Sequence, residues 1–498
     1  MSWRAILAAA EPVARSFEAA LRNPRQEQER LLRALIAENS LTEFGRRHGF
    51  ADIASIHDYR RAVPVMSASD YEPWIARIAA GEPHVLTQAP VVAFERTSGT
   101  AAGGRLVPYT GASLIAFRNA VLPWLADLAR RRPGITHGRI YVSISPATRP
   151  ASQVASGIPI GLDSDAAYLG ADLVAPFLDL LAVSPSLGRM TDMAAWRTAT
   201  LAELVAADDI SFISVWSPTF LVELLNALPA NIDAIAARLM PEARRRLREA
   251  TLGGRIDTAR LWPRLDCISC WTDGASAGFA RTLSDHFPGV AIDPKGLLAT
   301  EAAMTLPYGG GDPVTALTSN VVEYIDAAGN AHLCDTLEPG SSYRIVLTTP
   351  GGFYRYAIGD VVTCTGIAQG VARLRFDGRA GVTSDLVGEK LDDAFVSSVL
   401  GRLGRNSALL PDVAASRYIL WVDGQPDETV LNAIAQQVDA GLRANPHYDY
   451  ARNLQQLAPV VACARPGFML DFARRKVAMG TRLGDVKPVG LLLMDDAS

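Results

Sequence analysis

Hydroxyl, glycine and arginine side chains are concentrated in residues 97–105, which read TSGTAAGGR and follow a short apolar run. Glycines allow backbone N–H groups to approach phosphate oxygens, hydroxyls donate further hydrogen bonds, and a cation offsets negative charge. The segment is therefore a candidate polyphosphate loop, although an ordinary surface loop of this composition stays open. No Gly-Lys-Ser/Thr follows, so it is not a Walker loop. The candidate phosphate ligands are Thr97, Ser98, Gly99, Thr100 and Arg105.

Two acidic residues close apolar runs farther along the chain. Glu301 ends the run LLATE, and a strand ending in Thr300-Glu301 would place a carboxylate to hold Mg²⁺ against the phosphates. The hydroxyl of Thr300 would then lie near the α-phosphate. Asp360 ends YRYAIGD, where a carboxylate after a glycine turn is suited to accept both hydroxyls of a ribose. An isolated Thr-Glu is also common at a strand edge, so that reading stays open.

Composition restricts the classes of partner. A chain of 498 residues exceeds what one hydrophobic core supports, so two or three structural units are expected. A formal net charge of -4 argues against nucleic acid, and no run of about 18 uncharged apolar residues predicts a membrane span. Five cysteines fit a reducing cytoplasm. The close pair Cys267 and Cys270 is expected on a strand, with the two thiols buried on opposite faces and no zinc bound.

The periodicity of apolar residues predicts a layered α/β domain. The first ninety residues have helical patterns, and short strand-like runs then alternate with helical stretches up to about residue 360. Residues 217–240 are expected to form a helix and residues 296–302 a strand. After a Gly- and Asp-rich stretch, a smaller unit shows one strand pattern, residues 416–424, and one helix pattern, residues 427–445. The predicted units are a large domain, 1–378, a hinge, 379–385, and a small domain, 386–498.

In their order along the chain, these segments resemble the adenylate-forming superfamily of acyl-CoA synthetases and luciferases. TSGT with Arg105 is similar to its phosphate loop, LLATE to its Thr-Glu motif, and YRYAIGD to its ribose motif with two inserted residues. YRYxIGDVV, the lead-in TEFG and the insertion SGIPIGLDSDAAYL resemble the auxin-responsive acyl-acid amido synthetases of the Gretchen Hagen family. The resemblance covers nearly the whole chain. It implies an α/β, luciferase-like adenylate-forming fold with helix-flanked sheets and a small mobile α+β C-terminal domain.

The resemblance also implies roles for residues near the predicted hinge. Arg379 would contact the nucleotide ribose or phosphate, and Lys390 the phosphate side. The segment WTDG, similar to bacterial members, implies Asp273 and Gly274 at the nucleotide site. Near the C-terminus, DVKP is similar to the closing segment of bacterial members, and Lys487 could stabilise charge as the mixed anhydride forms. A merely solvated lysine on a terminal segment stays open.

The acid-binding pocket is less determined than the nucleotide site. We expect it between the middle insertion and the LLATE segment, with walls formed by Tyr141, Ser143, Trp216 and Trp271, although each could be ordinary core. Aromatic walls would suit an aryl or indole-like acid. The amine acceptor, the acid and the oligomeric state are not fixed by the sequence.

The resemblance implies an ATP- and Mg²⁺-dependent ligase. It would activate a carboxylic acid as its acyl-adenylate, release pyrophosphate, and pass the acyl group to an amino acid or another amine. Two alternatives stay open. The acceptor could be coenzyme A or a carrier thiol, and a degenerate member could bind nucleotide or acid without turnover. Partners are therefore small molecules, with neither nucleic acid nor membrane, and the expected location is the cytoplasm.

Overall fold

The structure is a computed structural model. The residues it describes are 2–97, 105–143, 152–162, 165–252, 256–379, 383–387, 389, 391–453, 455–479, 481 and 486–493. Within them the chain forms helices and five sheets around several hydrophobic cores. The α/β architecture predicted from the sequence is confirmed.

The helices of the described residues alternate with strands after an entirely helical N-terminus. The helices are α1 (Ser2–Arg22), α2 (Pro24–Asn39), α3 (Glu43–Arg47), α4 (Ile56–Ala62), α5 (Ala68–Ala79), α6 (Gly111–Arg131), α7 (Ala171–Leu180), α8 (Met193–Ala206), α9 (Pro218–Ala227), α10 (Ile232–Ala236), α11 (Pro241–Thr251), α12 (Thr258–Leu261), α13 (Ala277–His286), α14 (Asp393–Leu400), α15 (Glu428–Leu442), α16 (Pro446–Asn453) and α17 (Phe468–Ala478).

The strands are mostly short, except for two long neighbours in the largest sheet. They are β1 (Val91–Arg96), β2 (Leu106–Thr110), β3 (Arg139–Val142), β4 (Ser152–Gln153), β5 (Pro159–Ile160), β6 (Ile210–Ser214), β7 (Cys267–Cys270), β8 (Ala291–Pro294), β9 (Thr305–Leu306), β10 (Val314–Thr315), β11 (Val321–Ile325), β12 (Ala331–His332), β13 (Ser342–Thr348), β14 (Tyr356–Ala368), β15 (Val371–Arg379), β16 (Thr383–Ser384), β17 (Leu391–Asp392), β18 (Ser407–Asp412), β19 (Arg417–Val422) and β20 (Val461–Ala464).

A four-stranded parallel sheet has the order β3-β6-β7-β8. Its strands are joined by helical crossovers, as parallel neighbours require. The sequence predicts strands within GRIYVSISP, ISFISVWSP and LDCISCWTDG, and these are confirmed at β3, β6 and β7. Cys267 and Cys270 are both buried on β7 and belong to different hydrophobic clusters, so their thiols lie on opposite faces as predicted.

The largest sheet has seven strands in the order β12-β11-β13-β14-β15-β10-β9. β14 and β15 pair antiparallel, with Asp360 opposite Arg379. The sequence predicted a glycine turn before Asp360. The structure instead places Gly359 and Asp360 inside β14, where the pairing with β13 is irregular and Gly359 has a φ of 88°. A positive φ suits glycine, so the irregularity re-aims the strand without ending it.

The prediction of a strand over residues 296–302 is wrong. β8 ends at Pro294, and the following residues form a tight turn in which the Ala299 N–H donates to the Ala302 carbonyl at 3.0 Å. A side chain at Gly296 would collide with the backbone of Thr305, so this residue allows the chain to fold back closely. The apolar run therefore packs as a turn, with Thr300 and Glu301 at its tip.

The helix predicted over residues 217–240 is interrupted. α9 ends at Ala227 and α10 begins at Ile232, because Pro229 cannot continue an α-helix. Among the described residues, no single helix has both the length and the apolarity to cross a membrane. One bent pair, Pro218–Ala227 with Pro229–Ala236, passes that test by length and composition only.

The C-terminal part holds more strands than its sequence patterns indicated. β18, β19 and β20 form a three-stranded sheet packed against α14 and α15, and β16 pairs with β17. The expected strand and helix are confirmed as β19 and α15, whereas β18 was missed because it carries Pro411 and β20 because it has only four residues. β15 ends at Arg379, next to the predicted hinge. The domain boundaries and the mobility of the small domain stay predictions.

Candidate active site

The carboxyl ends of three strands of the parallel sheet carry most of the residues expected to line the acid pocket. Ser143 follows β3, Trp216 lies just after β6, and Trp271 follows β7. The backbone N–H of Trp271 donates to the backbone carbonyl of Trp216 at 2.9 Å. The centroids of the two indole rings are 6.2 Å apart. All three residues are partly exposed. Ligands of open α/β sheets bind at this edge of the strands.

Tyr141 occupies a different environment from the other three residues. Its side chain is fully buried in a cluster with Leu204, Ile213 and Phe220. The hydroxyl is buried and has no hydrogen-bond partner among the described residues. Burial raises the pKa of this phenol well above its usual range. The structure therefore places Tyr141 in the core beneath the strand ends, and not in the partly exposed group that the other three form.

Glu301 lies at the tip of the turn that follows β8, and two tyrosines hold that turn. The Tyr109 hydroxyl donates to the Thr300 carbonyl at 2.6 Å. The Tyr356 hydroxyl donates to Glu301 Oε1 at 3.2 Å. Tyr109 comes from β2, directly after the candidate phosphate loop, and Tyr356 begins β14. The turn is thus fixed between the two elements that carry the other nucleotide motifs.

Asp360 and Arg379 form an ion pair across β14 and β15. Arg379 Nε donates to Asp360 Oδ1 at 2.9 Å, and Asp360 is completely buried. Asp360 Oδ2 is buried and accepts no hydrogen bond from the described residues. A buried carboxylate oxygen without a donor is unfavourable, so this atom is suited to accept a ligand hydroxyl. Both residues were predicted at the nucleotide site, and the structure brings them together.

Charges from three segments converge on Glu301. Burial raises the pKa of Glu301, and the negative Asp360 acts in the same direction, while Arg379 and Lys487 oppose them. Lys487 also stands next to the tryptophan pair, with Nζ 5.5 Å from the centroid of the Trp271 ring. Lys487 therefore lies between Glu301 and the strand ends, and its role in charge stabilisation stays a prediction. Lys390 lies outside the described residues.

The described ends of the candidate phosphate loop are joined to each other. The Thr97 N–H donates to the Arg105 carbonyl at 2.9 Å, and the Arg105 N–H donates to Thr97 Oγ1 at 3.0 Å. The Arg105 side chain is exposed and lies 3.5 Å from Glu72. The segment therefore closes a loop between β1 and β2. Its predicted phosphate ligands Ser98, Gly99 and Thr100 lie outside the described residues.

Asp273 and Gly274 pack against the end of β15. Asp273 Oδ2 accepts the Phe376 N–H at 3.1 Å, and burial raises the pKa of Asp273 to about 6, although that hydrogen bond lowers it. Gly274 has a φ of 55° and lies close to Phe376 and Asp377. Both residues therefore support the strand that carries Arg379, and their direct contact with a nucleotide stays a prediction.

Sequence reasoning missed Lys295, which directly follows β8 at the same edge of the parallel sheet. Its side chain is buried, and Nζ donates to Ser214 Oγ at 2.7 Å. Nζ also lies 4.7 Å from the centroid of the Trp124 ring and 4.8 Å from that of Trp216. One signal was available. The chain has 48 lysines and arginines, yet only four are lysines, and Lys295 follows the short strand-like run AIDP.

Comparison with known proteins shows the family of this chain. The GH3 family N-terminal domain matches residues 13–292, and the GH3 family central domain matches residues 316–379. The GH3.10 protein of Oryza sativa subsp. japonica is 26% identical over 420 residues, which cover 78% of this chain and 85% of that protein. Indole-3-acetic acid-amido synthetase GH3.2 of Arabidopsis thaliana is 21% identical over 449 residues and covers 78% and 80%.

Solved structures show the same fold. The acyl acid amido synthetase AtGH3.15 in complex with 2,4-DB superposes with a TM-score of 0.84 at 18% identity, covering 98% of this chain and 95% of that one. A 2-hydroxyisobutyryl-CoA ligase with its acyl-AMP has a TM-score of 0.53 at 12% identity, covering 98% and 88%. The fold is thus that of the adenylate-forming ligases. Within that class, the matched domains show that the chain belongs to the GH3 family.

Proposed function

We propose that this GH3-family protein is an ATP-dependent acyl acid amido synthetase. The observation that carries the proposal is the convergence of Glu301, Asp360, Arg379 and Lys487 beside the tryptophan-lined strand ends. The carboxylates and cations suit a nucleotide, and the aromatic edge suits an acyl group. Curated relatives in the same family are named amido synthetases, which favours an amine as the acyl acceptor.

In the first half-reaction, an oxygen of the acid's carboxylate attacks the α-phosphorus of ATP. The new bond is a P–O bond, the bond to the β-phosphate oxygen breaks, and pyrophosphate leaves with its electron pair. Negative charge on the α-phosphate grows as the bonds exchange, and the cations of Arg379 and Lys487 stabilise it. Asp360 Oδ2 would accept a hydrogen bond from a ribose hydroxyl and orient the nucleotide.

Glu301 is the residue we assign to Mg²⁺. Its carboxylate has a hard oxygen donor, the kind of ligand that Mg²⁺ prefers, and Mg²⁺ is usually held by one or two carboxylates together with substrate phosphates. Burial disfavours the charged form of Glu301, so a cation at this carboxylate would compensate. When bound, Mg²⁺ would neutralise charge on the phosphates. Tyr356 orients the carboxylate through its hydroxyl.

In the second half-reaction, a neutral amine attacks the acyl carbonyl. A C–N bond forms, the bond from the carbonyl carbon to the AMP oxygen breaks, the amine loses a proton to solvent, and AMP leaves. The acyl-adenylate is already activated, so the protein's main contribution is to position the amine and stabilise the departing phosphate charge. We propose an amino acid as the amine. We also propose a cytoplasmic location, which the five free cysteines support.

Pyrophosphate release tests the proposal directly. The full chain is incubated with ATP, Mg²⁺ and a panel of carboxylic acids, each alone and with added amino acids or coenzyme A. Release that requires an acid and increases with an amino acid supports the amido synthetase. An increase with coenzyme A alone would indicate a thiol-acceptor ligase, and ATP binding without release from any acid would indicate a non-catalytic binder.

A further inference from the structure

Lys295 is a buried cation without an ionic partner among the described residues. Its residue exposure is 8%, and its Nζ has one described hydrogen-bond acceptor, Ser214 Oγ. Burial lowers the pKa of Lys295 to about 8, while the negative Asp293 opposes that effect. Asp293 itself is engaged by Arg131 Nη1 at 3.1 Å. An ammonium has three N–H donors, so Lys295 retains donors that could bind an acceptor.

Further polar atoms on the same face of the parallel sheet have no described partner. Ser214, Ser269 and Asp293 lie side by side in register on β6, β7 and β8. Ser269 Oγ and Asp293 Oδ2 are buried without hydrogen bonds among the described residues, and so is Trp124 Nε1, whose ring packs over Lys295 Nζ. Buried polar groups are rarely left unpaired, so several in one place are positioned to bind water or a polar group of a ligand.

The position of this cluster relates it to the acid and not to the nucleotide. The Trp216 ring lies between Lys295 Nζ and the Trp271 ring. The Trp271 ring in turn lies near Lys487 Nζ. The charges that act on Glu301 are those of Arg379, Asp360 and Lys487, whereas those that act on Lys295 come from β7 and β8. An acid whose carboxylate lies at Lys487 would therefore extend its remote end along the tryptophans toward Lys295.

We propose that Lys295 and Trp124 form a subsite for an oxygen atom at the remote end of the acyl acid. The protein would then favour acids that carry a hydroxyl, oxo or second carboxyl group over acids that end in a hydrocarbon. The proposal rests on the proposed function because it takes the strand ends as the acid site. It differs from a purely aromatic pocket, which would bind an apolar acid at least as well.

Calorimetric binding of matched acids to the full chain with AMP present tests the subsite without requiring turnover. The pairs are benzoic acid with 4-hydroxybenzoic and terephthalic acid, and hexanoic acid with 6-hydroxyhexanoic and adipic acid. We expect wild type to bind an oxygen-bearing acid at least about tenfold tighter than its parent, the range of a charge-assisted hydrogen bond. Lys295→Met should remove this preference, and Lys295→Arg should retain part of it.

Two controls separate the subsite from a folding effect. Lys476→Met removes another ammonium that lies over an aromatic ring, 5.1 Å from Phe472, and should leave the preference unchanged. Trp124→Phe keeps an aromatic ring but deletes the indole N–H, and should reduce the preference about threefold or more, the effect of one lost hydrogen bond, while the charge remains. This second variant carries the test if Lys295→Met does not fold.

The outcomes for the subsite and for the proposed function are distinct. If wild type shows no preference in any pair, or if Lys295→Met and Trp124→Phe both retain it, the subsite is rejected. That rejection leaves the function standing when plain acids still support pyrophosphate release. If acids bind with the expected preference but no acyl-AMP forms, the subsite stands and the amido synthetase is rejected.

Discussion

The strand ends of the parallel sheet and the region around Glu301 meet at Lys487, but their chemistry differs. Around Glu301, charged side chains from a turn and two antiparallel strands face one another, as in the pair of Asp360 and Arg379. At the strand ends, indole rings surround one buried ammonium. The difference indicates that the first region carries the reaction and the second selects the acid. Changes in the first region should slow the reaction of every acid alike, whereas changes in the second should alter which acid reacts.

The largest effect is expected from Glu301→Gln, which keeps the shape of the side chain but removes its charge. Pyrophosphate release should fall by about 100-fold or more for every acid, because the phosphates lose their metal-binding carboxylate. The assay is acid-dependent pyrophosphate exchange, with Glu338→Gln, an exposed residue, as the control. A fall confined to some acids would show that Glu301 belongs to the acid region.

Lys487→Met should lower the maximal rate of acyl-AMP formation by about 10- to 100-fold, as expected when a transition-state charge loses its partner. ATP binding should change by less than about threefold, because the lysine acts as charge develops on the reacting groups. Rapid-quench measurement of acyl-AMP separates the two quantities. Equal losses in binding and rate would mean that Lys487 binds the ground state only.

Asp360→Asn should weaken ATP binding by about 10-fold, which corresponds to the loss of a charged hydrogen bond to the ribose. The comparison ligand is 2′,3′-dideoxy-ATP, which lacks both ribose hydroxyls. The variant should bind ATP and the dideoxy analogue almost equally, while wild type should prefer ATP. A wild type that binds both equally would remove Asp360 from the ribose site.

Tyr356→Phe is expected to have a smaller effect in the same region. It removes the hydroxyl that donates to Glu301 but keeps the ring, so pyrophosphate exchange should fall about 3- to 10-fold, equivalent to about 1 kcal/mol. The ratio of rates for two different acids should stay constant. A changed ratio in exchange assays would mean that Tyr356 contacts the acid.

The smallest effect concerns stability and Asp273. The pKa of Asp273 in the folded protein is about 6, above the ordinary aspartate value of about 4. The folded state therefore binds the proton of this carboxyl more tightly than the unfolded state does. Its favourable contribution is therefore present below about pH 4 and is lost as the pH rises through about 6. Asp273→Asn should raise the melting temperature by about 1–3 °C at pH 7.5 and less at pH 5. Equal shifts at both pH values would argue against this titration.

The nucleotide region was more predictable from the sequence than the acid region. Residues such as Asp360 and Glu301 belong to short contiguous motifs. Such motifs identify the functional residues even where the local structure differs from the one predicted. The strand expected at residues 296–302 is a turn, since apolar periodicity cannot distinguish a short strand from a packed turn. A turn was expected at Gly359, but this residue lies inside β14. The sequence could not distinguish the two, because a single glycine is compatible with either a turn or a bulge.

The acid region depends on tertiary structure. Trp124, Trp216 and Lys295 are far apart in the sequence and meet only because parallel strands end at one edge with α6 packed across them. No local sequence pattern predicts that these three residues lie close together. Tyr141 was predicted with this group, yet it lies within β3 and points into the core, whereas Ser143 lies just beyond the strand. A difference of two residues at a strand end separates these two environments.

Transfer of oxygen isotope from the acid tests the acyl-adenylate most directly. An acid labelled with ¹⁸O in both carboxylate positions is incubated with the full chain, ATP, Mg²⁺ and an amino acid, and the nucleotide product is analysed by mass spectrometry. Our account predicts AMP that carries one ¹⁸O atom, together with unlabelled pyrophosphate and an amide. Label in inorganic phosphate with ADP as the nucleotide product would contradict it, because that pattern requires attack at the γ-phosphate.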